Sequence, residues 1–191
     1  MEKEKLALEA ITRQLFASVV WSHKIQCKQA DIYKKRFNIL NIIIIIASAL
    51  TTAGIFSVIF ADEKWIKIIS AVFSFIVTAI STFLKTFELS NLAKEHMKTA
   101  NELWYVREQL LMLLVEISSG KKDYDTLMIT YREIQQDLKK VYDNSPTTQE
   151  KAVSMAKKAL KIDGDYTYTD EEIDSFLPVI CKKTTASCKS K

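Results

Sequence analysis

The chain has 191 residues, 48% of them hydrophobic and 26% charged, and carries a formal net charge of +4. Its mean hydropathy of +0.01 averages two long apolar blocks with a strongly charged remainder. Without those blocks the rest is too lean for a core of independent-enzyme size, which argues against a large soluble catalytic domain.

Glycine occurs only at positions 54, 120 and 164, and proline only at 146 and 178. Nothing therefore punctuates a helix over residues 1–53. Residues 1–36 are expected to form a basic helix on the cytoplasmic side, running straight into the first apolar block.

Phe37 to Ala61 is 25 residues without a charge, and Ile68 to Leu84 is another 17. A hydrocarbon core about 30 Å thick needs roughly 20 mostly apolar residues at 1.5 Å per residue. Read as one helix, residues 37–84 would be about 72 Å long, too long for a single crossing. Asp62, Glu63, Lys64 and Lys67 would then sit at mid-helix, where each charge costs roughly 2.5–3.5 kcal/mol. Two crossings, 37–61 and 68–84, joined by a short turn over 62–67, remove that cost. The first block begins too far into the chain, and is too long, for a cleavable signal.

Basic residues set the expected orientation. Lys24, Lys28, Lys34, Lys35 and Arg36 precede the first span, and Lys85, Lys94 and Lys98 follow the second. The turn offers only Lys64 and Lys67 beside two acids. Both termini are expected in the cytoplasm of a bacterial inner membrane, with residues 85–180 forming a cytoplasmic helical region.

Within the second span, Lys67, Ser70, Ser74, Thr78, Ser81 and Lys85 fall three or four apart on one face. The first span carries a looser set that includes Asn38, Asn41, Ser48, Thr51 and Thr52. Hydroxyls on one helix face suit either a water-lined path or close helix packing. Asn41, Ser48, Thr52, Ser70, Ser74, Thr78 and Ser81 are accordingly candidates for pore lining or helix packing. Gly54 is expected at a close crossing. Trp65 and Lys67 mark the outer interface and Lys85 the inner one.

No breaker occurs between 65 and 119, so the second span is expected to continue as a helix into the forward arm. There Leu89, Ala93, His96, Ala100, Leu103, Arg107, Leu110, Leu114 and Ile117 alternate spacings of four and three, a coiled-coil-like seam. The seam serves either to join subunits or to pack a bundle within one. The run Leu110–Val115 is apolar all round, which implies burial by several neighbours. Gly120 is placed to end this helix. A second helix follows on Leu127, Tyr131, Ile134, Leu138 and Val141 and breaks at Asp143–Pro146. Thr147 to Glu150 reads as a capping box for a third helix ending near Gly164. Thr169 to Glu172 reads as another, opening a short helix over Ile173 and Phe176. The tail, 181–191, is basic and rich in Ser and Thr, and is expected to be disordered.

Catalytic chemistry finds no foothold. His23 and His96 have no paired nucleophile at recognisable spacing, and three isolated glycines cannot cradle a phosphate. Cys27, Cys181 and Cys188 lack metal or disulfide spacing. No catalytic, cofactor-binding or metal-binding residue is expected, and the expected partners exclude nucleic acid. The fold class is an all-α membrane protein, a transmembrane hairpin extended by helices into a small bundle. A two-helix hairpin has too few walls to enclose water, so conduction would require a homo-oligomer in the lipid bilayer. The alternative is a non-conducting anchor or scaffold whose cytoplasmic helices dock a partner protein.

The basic arm, hairpin and long arm, together with Asn91–Met97, Ala100, Leu103–Tyr105, Arg107–Glu108 and the ending Thr169–Pro178, resemble the SLATT family, the SMODS- and SLOG-associating effector domains of bacteria. The resemblance spans roughly residues 10–180. It implies a membrane effector of an antiphage or inter-bacterial conflict system. Such an effector would oligomerise and breach the membrane when a nucleotide-signalling partner is triggered, arresting growth or killing the cell. The chain shows no nucleotide-binding domain, so the sensor would be a separate protein or the ligand site would be built from these helices.

Overall fold

The computed structural model describes residues 2–60 and 64–166. Asp62 and Glu63 of the short turn, the capping box at Thr169, the helix over Ile173 and Phe176, Cys181, Cys188 and the tail lie outside them. The described residues contain helix and no strand: α1 (Glu2–Phe60), α2 (Lys64–Phe87), α3 (Leu89–Ser119), α4 (Tyr124–Asp143) and α5 (Glu150–Lys161). Backbone contacts divide the chain into two units, Met1–Ala156 and Lys157–Lys191.

Helix α1 runs 59 residues without a break, about 88 Å at 1.5 Å per residue. Its second half lies against α2 to form the hairpin. The apolar side chains there have little protein to bury against: Ile45 is 67% exposed and Phe75 74%. Ile42, Ile46, Leu50, Phe56, Ile69 and Val72 are exposed as well. Each such residue gains roughly 0.3–0.6 kcal/mol from a lipid surround, and a patch of this extent does not persist in water.

The turn is shorter than the expected 62–67. Trp65, Ile66 and Lys67 already belong to the first turn of α2.

A second difference lies at the other end of α2. The expected continuous helix is broken at Glu88, whose φ and ψ are both 43°. Its N–H still donates to the Leu84 carbonyl at 3.1 Å, and its own carbonyl accepts from Asn91 and Leu92. The ladder survives, but the helix axis must turn at a residue in the left-handed region, which costs an L-amino acid about 1–2 kcal/mol. The Asn91 side-chain amide donates to Glu88 Oε2 at 2.8 Å and helps hold it there.

Beyond the membrane, the first half of α1 packs with α3 and α4 as a three-helix bundle. Its core is Leu8 and Val19 of α1, Leu103, Val106, Leu110, Leu113 and Ile117 of α3, and Leu127, Tyr131, Ile134 and Leu138 of α4. The distal end is tied by Lys5 Nζ donating to the Lys122 carbonyl at 2.6 Å. There α3 ends at Gly120, whose φ of 68° only glycine adopts freely. Asp123 then caps α4, accepting from Thr126 N at 3.0 Å. At the membrane-proximal end the hydroxyls of Ser22 and Tyr142 lie 2.9 Å apart.

The expected capping box before the third helix does not form as drawn. Helix α5 begins at Glu150, and Gln149, not Thr147, precedes it. The Gln149 N–H donates to Gln29 Oε1 on α1 at 2.9 Å, so the terminus is satisfied across 120 residues of sequence. In the second unit, the chain leaves α5 through Gly164 at φ 71°, and Asp165 N donates back to the Ala159 carbonyl at 3.0 Å.

Candidate functional site

The seven polar candidates of the hairpin separate into two groups. Asn41, Ser48 and Ser70 are half-buried. Ser70 lies on the side of α2 that meets α1: a Cβ built on Gly54 would come within 2.0 Å of Ser70 Oγ and 3.2 Å of its Cβ. That is the close approach of small residues that lets membrane helices pack. Thr52, Ser74, Thr78 and Ser81 are exposed. On α2 the outward hydroxyls stand roughly a quarter-turn from the half-buried Ile66, Phe73, Ile80 and Leu84.

Several of these hydroxyls are already engaged within their own helix. Thr78 Oγ1 donates to the Ser74 carbonyl, and Thr82 and Thr86 repeat the pattern on Thr78 and Thr82, each at 2.9 Å. Thr51 and Thr52 bond the carbonyls of Ala47 and Ser48 in the same way. The donor is thereby hidden from lipid while the oxygen keeps its acceptor capacity. Thr82 and Thr86 were absent from the sequence-derived set, although their i, i+4 spacing from Thr78 signals the same ladder.

On α3, Leu89, His96, Ala100, Leu103, Leu110 and Ile117 are buried, and Ala93, Arg107 and Leu114 are half-buried. The seam packs against α1 and α4 of the same chain. Thr99, Val106 and Leu113 join it; a stripe one residue wide underestimates a helix held between two neighbours. The run Leu110–Val115 departs from the expectation. Leu111, Met112 and Val115 are exposed, as are Trp104 and Tyr105. Two helices cover one side of α3 and leave the other apolar and bare.

Where the bundle nears the membrane, its interior turns polar. His96 is buried, with Nδ1–H donating to Gln26 Oε1 at 2.5 Å and its ring stacked on Tyr33 at 5.4 Å. Burial lowers the His96 pKa below the ordinary 6.5 in spite of Glu95 nearby. His23 is pushed down to about 4, by burial first and then by the charges of Arg107 and Lys24. Cys27 Sγ lies 3.6 Å from His23 Nε2, and burial raises its pKa, the opposite of a nucleophile's requirement. Arg107 meets Glu108 at 2.6 Å. Among the described residues no group of three or more His, Cys, Asp or Glu could hold a metal ion.

A two-span hairpin, a long uninterrupted first helix and a helical bundle beside the bilayer agree with one known family. Residues 8–172 match the SMODS and SLOG-associating 2TM effector domain family 4. The chain belongs to this family. No curated protein and no solved structure matches it. As a SLATT domain it is a two-transmembrane effector of conflict systems, and the hairpin of α1 and α2 supplies the two crossings. The match also takes in the bundle core from Leu8 to Leu138, so the buried polar layer around His96 lies within the SLATT domain.

Proposed function

We propose that the chain is a regulated, pore-forming effector of the bacterial inner membrane that acts as a homo-oligomer and carries no catalytic step of its own. One observation supports this above the rest: Ser74, Thr78, Ser81 and Thr82 lie exposed on a span whose other outward residues between Ile68 and Phe83 are apolar. No described residue of the same chain covers them, so they meet lipid, a second copy or water. Lipid leaves the remaining acceptor capacity of each hydroxyl oxygen unused, whereas water or a second copy fills it. Copies arranged with this face inward would line a path with hydroxyl oxygens, while Ile45, Ile46, Val72 and Phe75 meet lipid.

The bundle supplies the second requirement, a surface that holds copies together outside the bilayer. Trp104, Leu111 and Val115 give α3 an apolar face not used within the subunit. The basic residues before α1 enters the membrane favour placing both termini in the cytoplasm. There a separate nucleotide-signalling or sensor protein would repack the bundle and open the path.

The test is leakage. Ser74→Leu with Thr78→Leu should abolish dye entry into expressing cells while membrane insertion stays normal. Undiminished leakage in that variant removes the hydroxyl face as the path. The same exposed face of α3 also favours a second reading, a non-conducting scaffold that docks a partner. It is distinguished by an intact membrane potential on overexpression.

A further inference from the structure

We infer that the base of the hairpin holds an anionic phospholipid headgroup in a site built from α1 and α3. A cavity of about 340 Å³ opens there between the two helices. It lies in the size range of small-molecule sites, about 300–1,000 Å³. Its walls include Lys34, Phe37 and Asn38 of α1 and Ser90, Ala93 and Lys94 of α3. Phe37 and Asn38 are the first residues of the uncharged span, and Ser90 is two residues past the bend at Glu88. The cavity therefore straddles the plane where hydrocarbon gives way to headgroups.

Charge selects the ligand. Lys34 and Lys94 come from different helices, both are exposed, and neither enters an ion pair with the described carboxylates. The one acid in the wall, Asp31, lies 3.9 Å from Lys28. Two ammonium groups over a cavity with Asn and Ser donors form a phosphate-binding arrangement. Phe37 and Ala93 add an apolar wall that suits a glycerol backbone and not a free, fully hydrated anion. Position and wall together commit the site to a lipid in the leaflet facing the bundle. Such a lipid would bridge α1 and α3 on either side of the Glu88 bend, and it would do so whether or not the hairpins conduct.

Native mass spectrometry of the full-length protein in mild detergent tests this, with phosphatidylglycerol and phosphatidylcholine of matched chains as probes. Phosphatidylglycerol should be retained in preference. Lys34→Gln with Lys94→Gln should weaken its retention by about thirtyfold, since each lysine near an anionic surface is worth roughly a fivefold change. Lys151→Gln with Lys157→Gln, which removes the same charge from exposed positions on α5, should leave it unchanged. Ala93→Phe keeps both charges but fills the cavity, and should also lower retention. Millimolar inorganic phosphate should not displace the lipid. Equal retention of the two lipids, equal loss in the two double-glutamine variants, normal binding by Ala93→Phe, or displacement by phosphate would each overturn the assignment.

Discussion

Gly54 of α1 and Ser70 of α2 meet so closely that a methyl group at position 54 would lie 2.0 Å from the serine hydroxyl and 3.2 Å from its Cβ. The hydroxyl can rotate away, but the Cβ cannot. Gly54→Ala therefore overpacks the crossing at about 1–3 kcal/mol, partly offset by roughly 1 kcal/mol of helix propensity. A net loss of about 1 kcal/mol is expected in denaturing-detergent titrations of the folded hairpin. Ser70→Gly, which removes that Cβ, should relieve the clash in a double-mutant cycle, and an absence of coupling would place the strain elsewhere.

Leu110 and Leu111 are chemically identical neighbours with opposite surroundings. Leu110 is fully buried in the bundle, whereas Leu111 is 44% exposed. Leu110→Ala should cost about 2–5 kcal/mol of bundle stability. Leu111→Ala should leave the unfolding midpoint nearly unmoved yet weaken self-association, read by light scattering of the detergent complex. Equal effects on both measurements would contradict the assignment of the two faces.

Acid should loosen the bundle. His23 titrates at about 4 in the fold against an ordinary 6.5, and His96 is also held down. Between those values the unfolded chain binds more protons than the folded one, so stability rises with pH across the window. The stabilisation is complete above about pH 6.5 and is lost as pH falls toward 4. Thermal unfolding followed by circular dichroism should show that decline. His23→Gln should flatten it in proportion to the share that this residue carries.

Gln29 is fully buried; its Oε1 accepts the Gln149 N–H, while its amide nitrogen finds no partner among the described residues. Gln29→Leu removes both the cap and the unpaired donor. The first loss costs about 0.5–2 kcal/mol and the second change recovers a comparable amount, so global stability should move little. Amide exchange at Gln149 and in the first turn of α5 should nonetheless accelerate. Unchanged exchange there would mean that the cap is dispensable.

Sequence reading reached the elements whose signals are local. Two uncharged runs marked the two apolar helices, and Gly120 marked the end of α3. It failed where the deciding contact is distant or lacks a residue signature. Glu88 has no glycine or proline to advertise a bend, and the cap of α5 comes from Gln29 on α1. The run Leu110–Val115 is equally apolar on every side, so only the placement of α1 and α4 decides which leucines are covered. The hydroxyl face of α2 was legible as a stripe. That Ser70 would turn toward α1 while Ser74 and Thr78 turn away depends on how the two spans are rotated about their axes.

The two legs of the hairpin differ mechanically. Helix α1 passes from the bundle through the bilayer as one rod, whereas α2 is joined to the bundle through a single residue, Glu88, held against its backbone preference. A torque on the bundle reaches the membrane undiminished along the first leg and is absorbed at a joint in the second. Any turn of the first leg relative to the second must pass the close contact of Gly54 with Ser70.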